Sequence, residues 1–126
     1  MGDKQQNILV VDDNKMMLDG IQRYLEYLDY PSTGVTRVDD EVVENLKKGR
    51  YSLIMLDVML SGADGRDLVR KFKKTDETRD IPILMISAFH DIEKSVKEAG
   101  ADDFLVKPFD LDELQQKLER HLDNGQ

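Results

Sequence analysis

The chain has 126 residues, a formal net charge of −8 and no cysteine. That acidic balance excludes a nucleic-acid surface, which needs clustered Lys and Arg, and the absence of Cys excludes a disulfide framework and thiolate metal sites. No apolar run approaches membrane-spanning length and no signal peptide opens the chain, so no membrane contact and a cytoplasmic setting are expected.

Met1 to Asn7 is polar and reads as a frayed end. Ile8-Leu9-Val10-Val11 is an apolar run that ends in Asp12-Asp13, the pattern of a strand buried on both faces. Met17, Leu18, Ile21, Leu25 and Leu28 then recur at helical spacing, predicting a helix from about Asn14 to about Asp29, capped by Asp13 or Asn14. Pro31 to Thr36 is a weak strand suited to a sheet edge. Asp39 or Asp40 caps a second helix carrying Val42, Val43 and Leu46 and stopped by Gly49. Leu53-Ile54-Met55-Leu56 is the next apolar run, and it ends in Asp57. Asp64-Gly65 turns into a third helix with Leu68, Val69 and Phe72 inward.

Pro82 opens a fourth strand, Ile83-Leu84-Met85-Ile86, ending in Ser87. Asp91 is placed as the cap of a short helix with Ile92, Val96 and Ala99, closed by Gly100. Phe104-Leu105-Val106 ends in Lys107-Pro108. Asp110 with Glu113 then makes a capping-box variant before Leu111, Leu114, Leu118 and Leu122.

This alternation predicts an α/β fold, a doubly wound (βα)5 unit with a five-stranded parallel sheet and helices on both faces. The chain is expected to be a single domain, 1–126, with its core at about 7–122. The doubly wound order 2-1-3-4-5 sets the weak second strand at an edge and strands 1 and 3 side by side. Asp12-Asp13 and Asp57 then share the crevice at the topological switch point. Four apolar runs each hand over to a polar residue at the same end, bringing three carboxylates, the Ser87 hydroxyl and the Lys107 ammonium to one edge. Each has a plain reading: a turn and helix cap for Asp12-Asp13, a strand-end polar residue for Ser87, a surface lysine for Lys107. Together they form an arrangement whose simplest relief is a hard divalent cation with oxygen ligands. Mg²⁺ suits it, because it binds few carboxylates, keeps waters and shares its shell with phosphate.

In these residues the chain resembles the receiver domain of two-component response regulators, a flavodoxin-like fold of the chemotaxis-receiver type. The carrying set is Asp12-Asp13, Asp57, Ser87-Ala88 and Lys107-Pro108-Phe109, with the Asp57 to Gly65 separation. The resemblance implies that Asp57 is the phosphoacceptor, taking a phosphoryl group from a sensor histidine kinase, a histidine phosphotransfer protein or a small acyl phosphate. It implies Mg²⁺ held by Asp12, Asp13, Asp57 and the backbone carbonyl of Met59. Ser87 and Lys107 would contact the phosphoryl oxygens, and Pro108 would follow a cis bond. Ser87 and Phe104 would form the switch, the hydroxyl shift letting the ring turn inward. The output face would be helix 4, strand 5 and helix 5, docking an effector domain or protein, in a monomer or a phosphorylation-dependent dimer. Such a protein is a signalling phosphoacceptor that assists its own phosphorylation and dephosphorylation, not a turnover enzyme.

Three departures from the family pattern stand out. Leu60-Ser61 replaces the common Met-Pro, predicting a looser loop after Asp57. Met59 and Phe89 flank the acceptor where polar residues able to direct a water are frequent, predicting slow hydrolysis of the phosphoaspartate. His90 reads as a solvated loop residue and His121 as a favourable cation in a last helical turn. Other classes fit less well. A phosphatase of the haloacid-dehalogenase type wants Asp-x-Asp at the nucleophile, but Met59 stands two after Asp57. A flavin carrier wants a hydroxyl- and Gly-rich phosphate loop where this chain has Asp12-Asp13-Asn14-Lys15. A receiver used only for docking, without phosphorylation, would not need the intact acidic set.

Overall fold

A computed structural model of the chain describes residues 7–122. Its five principal strands are β1 (Ile8–Val11), β2 (Ser32–Val35), β3 (Leu53–Asp57), β4 (Ile83–Ser87) and β5 (Asp103–Val106). They alternate with helices α1 (Lys15–Tyr27), α2 (Asp40–Lys47), α3 (Gly65–Lys74), α4 (Glu93–Ala99) and α5 (Leu111–His121). All neighbouring pairs in this sheet are parallel and its order is β2-β1-β3-β4-β5. Val11 pairs with Leu56 and Asp57 with Ile86, so the carboxyl ends of the central strands lie level.

The central strands are apolar on both faces because both faces are covered. Leu9, Val11, Ile54, Leu56 and Met85 join Val42, Leu46, Val69, Phe72 and Val96 in one core, on the side of α2, α3 and α4. Ile8, Val10, Leu53, Met55 and Leu84 join Leu18, Ile21, Leu25, Leu114 and Leu118 in the other, on the side of α1 and α5. β2 is half-buried along its length, as an edge strand with polar content would be.

Caps follow the sequence at most helices. The Asn14 side chain accepts from Met16 N and Met17 N, that of Asp39 from Val42 N, and Asp110 with Glu113 closes a full capping box. Asp91 does not cap α4. It lies inside a 3₁₀ turn, His90–Ile92, that precedes the helix, and its own backbone is already wound there; neither turn nor helix has a side-chain cap bond. α1 stops at Tyr27, and Asp29 takes a left-handed φ of 68°, ending the expected run early. Met17 faces solvent at 37% exposure, because α1 turns only Leu18, Ile21 and Leu25 fully into the core. Asn7 is not frayed: its carbonyl accepts from Ser52 N at 2.9 Å. The rest of the segment expected to fray, residues 1–6, lies outside the described residues, as does 123–126.

One glycine is fixed by space. The Gly65 amide donates to Val58 O at 2.7 Å, and a Cβ there would collide with the Asp57 carbonyl. α3 can therefore start directly behind the end of β3 only with glycine in place.

Candidate functional site

Asp12 follows β1, Asp57 ends β3, Ser87 ends β4 and Lys107 follows β5. The level strand ends bring all four to the carboxyl edge of the sheet. One carboxylate oxygen from each of Asp12, Asp13 and Asp57 lies within 4.8 Å of the other two. Lys107 Nζ donates to Asp57 Oδ2 at 3.2 Å and stands 3.5 Å from Asp12 Oδ2. Asp57 Oδ1 accepts from Met59 N at 3.3 Å. The Ser87 hydroxyl oxygen accepts from Phe89 N at 3.0 Å, and the Lys107 amide donates to the Ser87 carbonyl at 2.8 Å. The Lys107–Pro108 bond is cis.

The electrostatics are unsettled at the acceptor. Burial raises the Asp57 pKa above its ordinary 3.8; Lys107 opposes this, and the neighbouring Asp12 charge adds to it. Asp12 is almost wholly buried, yet its Oδ2 accepts no hydrogen bond among the described residues. Asp13 is settled instead: the Ser61 hydroxyl and amide bonds hold its carboxyl below the ordinary value. Three clustered carboxylates, one of whose buried oxygens has the 3.5 Å approach of Lys107 but no hydrogen bond among the described residues, fit a hard divalent cation.

The loop after Asp57 departs from the expectation of looseness. Met59–Leu60 and Ala63–Asp64 pair as a two-residue antiparallel ladder. Ser61 donates to Asp13 Oδ2 twice, from its amide at 2.7 Å and its hydroxyl at 2.6 Å. A proline there would lack both donors. The loop leaving this ladder is also tied to α4. Asp64 caps α3 and takes Arg66 Nε and NH2 at 2.9 and 2.7 Å, while Arg66 NH1 reaches Ser95 Oγ at 2.9 Å. Neither Ser61 nor Arg66 is marked by periodicity. The only signal for Ser61 was its departure from proline.

Met59 and Phe89 flank the site and are 58% and 54% exposed. His90 is exposed in the turn after Phe89. Phe104 already lies inward, 5% exposed, in the core on the α4 side, so any rearrangement of its ring starts from a buried position.

This sheet, with an acidic crevice at its switch point and Lys107 reaching Asp57 from the end of β5, two strands away from β3, is the architecture of a doubly wound receiver-type domain. Residues 8–119 match the family model described as the response regulator receiver domain, and the chain belongs to that family. It is 34% identical over 110 residues to the transcriptional regulatory protein YkoG of Bacillus subtilis, covering 86% of this chain and 47% of that protein. It is 35% identical over 109 residues to the response regulator MprA of Mycobacterium leprae, covering 85% of this chain and 46% of that one. The chain thus spans about half the length of the curated relatives it matches.

Solved structures agree. The receiver domain of sensor histidine kinase PA1611 from Pseudomonas aeruginosa, solved with a magnesium ion coordinated in its active site cleft, superposes with a TM-score of 0.81 at 31% identity, covering 94% of this chain and 98% of that one. The chemotaxis protein CheY4 of Vibrio cholerae gives 0.82 at 25% identity, covering 94% and 100%. The protein is therefore a receiver domain of a two-component system, with the flavodoxin-like fold of that class. Among the described residues no helix is long and apolar enough to cross a membrane.

Proposed function

We propose that the chain, 1–126, works as one receiver unit with its core at 7–122, and that Asp57 accepts a phosphoryl group from the phosphohistidine of a sensor kinase or phosphotransfer protein. The observation that carries this is the meeting of Asp12, Asp13 and Asp57 within 4.8 Å, with Lys107 3.2 Å from Asp57. An Asp57 carboxylate oxygen attacks phosphorus; the bond to the donor's imidazole nitrogen breaks, and its electron pair leaves with the imidazole. Such transfer depends on alignment and charge neutralisation more than on covalent intermediates.

Asp12, Asp13, Asp57 and the Met59 carbonyl would hold Mg²⁺, which would offset the negative charge of donor and acceptor as they approach. Lys107 supplies the second positive charge and holds the Asp57 carboxylate through Oδ2. Ser87, buried beside it, offers its hydroxyl to a phosphoryl oxygen. Phosphoaspartate adds charge and acceptor oxygens that draw Ser87 and Lys107 inward, and the bias passes to the face built by α4, β5 and α5. An effector domain or separate protein would dock there, and phosphorylation-dependent dimerisation would use the same face.

Met59 and Phe89 present no group that could orient a water, which supports slow hydrolysis of the phosphorylated form. Met59→Asn or Phe89→Glu is expected to speed dephosphorylation; an unchanged rate would reject that point.

The reading as a whole is tested by intact mass after incubation with acetyl phosphate, with and without Mg²⁺, on the wild type and Asp57→Asn. The expected result is a Mg²⁺-dependent gain of one phosphoryl group that the variant lacks. A folded wild type that binds Mg²⁺ but gains nothing would point to a docking module instead.

A further inference from the structure

Asp13 and Met59 sit on different loops, one between β1 and α1 and the other between β3 and α3. Ser61 spans the gap. Its amide and hydroxyl both donate to Asp13 Oδ2, at 2.7 and 2.6 Å, across 48 residues of sequence, and Oδ1 takes neither bond. On its other side Ser61 directly follows the Met59–Leu60 strand of the small ladder, whose partner strand runs into Asp64. Met59 itself is tied back to Asp57 through its amide. The backbone carrying the Met59 carbonyl is therefore fastened at both ends, to Asp57 by Met59 N and to Asp13 by Ser61.

We propose that Ser61 is a positioning residue for the divalent cation, clamping the Asp13 loop to the Met59 loop so that ligands from two separate segments are assembled before the ion arrives. This rests on the metal reading given above. A carboxylate on an unrestrained loop, and a carbonyl on another, each lose freedom when an ion gathers them, and that loss weakens binding. Here the hydrogen bonds made by Ser61 have already imposed the order. They use a single oxygen of Asp13, so the clamp and the ion need not claim the same atom. The hydroxyl carries the part of the clamp specific to serine and threonine, because any residue other than proline brings the amide.

The test is Mg²⁺ titration by isothermal calorimetry on the full chain, comparing wild type, Ser61→Ala and Ser61→Thr, with amide hydrogen exchange of residues 59–62 recorded without metal. Loss of the hydroxyl's share of this preorganisation, a fraction of the bond's full worth because the bond is made with and without the ion, predicts a Kd about threefold higher for Ser61→Ala, faster metal-free exchange in the loop, and wild-type behaviour restored by threonine. An unchanged Kd for Ser61→Ala would overturn the clamp. So would a lower one, since Ser61 would then be competing with the ion for Asp13. Wild type that binds no Mg²⁺ would remove the metal reading and the clamp together, whereas wild-type binding with an unaffected Ser61→Ala removes the clamp alone.

Discussion

Asp57 and Asp103 are both buried aspartates on the same parallel sheet, Asp57 closing β3 at the carboxyl edge and Asp103 opening β5 at the amino edge. For both, burial on its own pushes the pKa up. At Asp103 that push is overwhelmed: Lys117 Nζ lies at 2.8 Å, His121 Nε2 at 2.8 Å, Arg120 NH1 at 3.1 Å and the Phe104 amide at 2.9 Å, and the carboxyl ends well below its ordinary range. At Asp57, among the described residues, only Lys107 and the Met59 amide answer, with the Asp12 charge beside them, and the carboxyl stays above its ordinary value. The same residue type is thus saturated at the edge that holds α5 to the sheet and left short of partners at the edge proposed to receive a cation and a phosphoryl group. Saturation gives stability; shortage leaves coordination capacity for a ligand.

The largest effect that sharpens this contrast belongs to Asp103. Asp103→Asn is expected to lower the unfolding free energy by about 2 kcal/mol at pH 7, since three basic side chains lose their anion while part of each remains in water. Urea unfolding checks it. Because the folded Asp103 pKa is depressed, its contribution is complete above the unfolded value of 3.8 and is lost as pH falls below it, so variant and wild type should converge in acid.

Next comes the ligand. Mg²⁺ at ten times its Kd should raise wild-type unfolding free energy by about 1.4 kcal/mol through selective binding to the folded state. The same addition should do little for Asp13→Asn, which carries one charge fewer in the cluster. Equal stabilisation of both would detach Asp13 from the site. The smallest effect is on titration alone. Lys107→Met should push the Asp57 carboxyl further up, as the ammonium is the main influence holding it down, and carboxyl carbon chemical shifts would follow it.

The strands and the acceptor edge were legible because they depend on patterns that a chain cannot hide, whereas the order 2-1-3-4-5 was matched to a familiar doubly wound arrangement and not read from the residues. Four apolar runs each ended in a polar residue, and a buried parallel strand has no other way to present chemistry than at its end. What was not legible depends on partners distant in sequence. Asp103 was left out of strand 5, since a carboxylate at a strand start reads as a loop residue until Lys117, Arg120 and His121 of α5 are seen around it. His121, placed in the sequence as a helix-end cation, is one member of that group. Ser61 read as the loss of a stiffening proline, whereas its two donors hold the loop to Asp13. Asp91 read as a cap because nothing local announced that the chain would begin winding before it.

The contrast is tested most directly by the stability of Asp57→Asn in the absence of divalent cations. A folded pKa above 3.8 means that ionised Asp57 subtracts stability as pH rises through and beyond that value. Removing the charge should therefore make the protein more stable than wild type at pH 7, by about 1 kcal/mol, as is common when a functional charge is replaced, with the gain fading near pH 3. An Asp57→Asn protein less stable than wild type at pH 7 would contradict the account, because Asp57 would then be a satisfied structural carboxylate like Asp103.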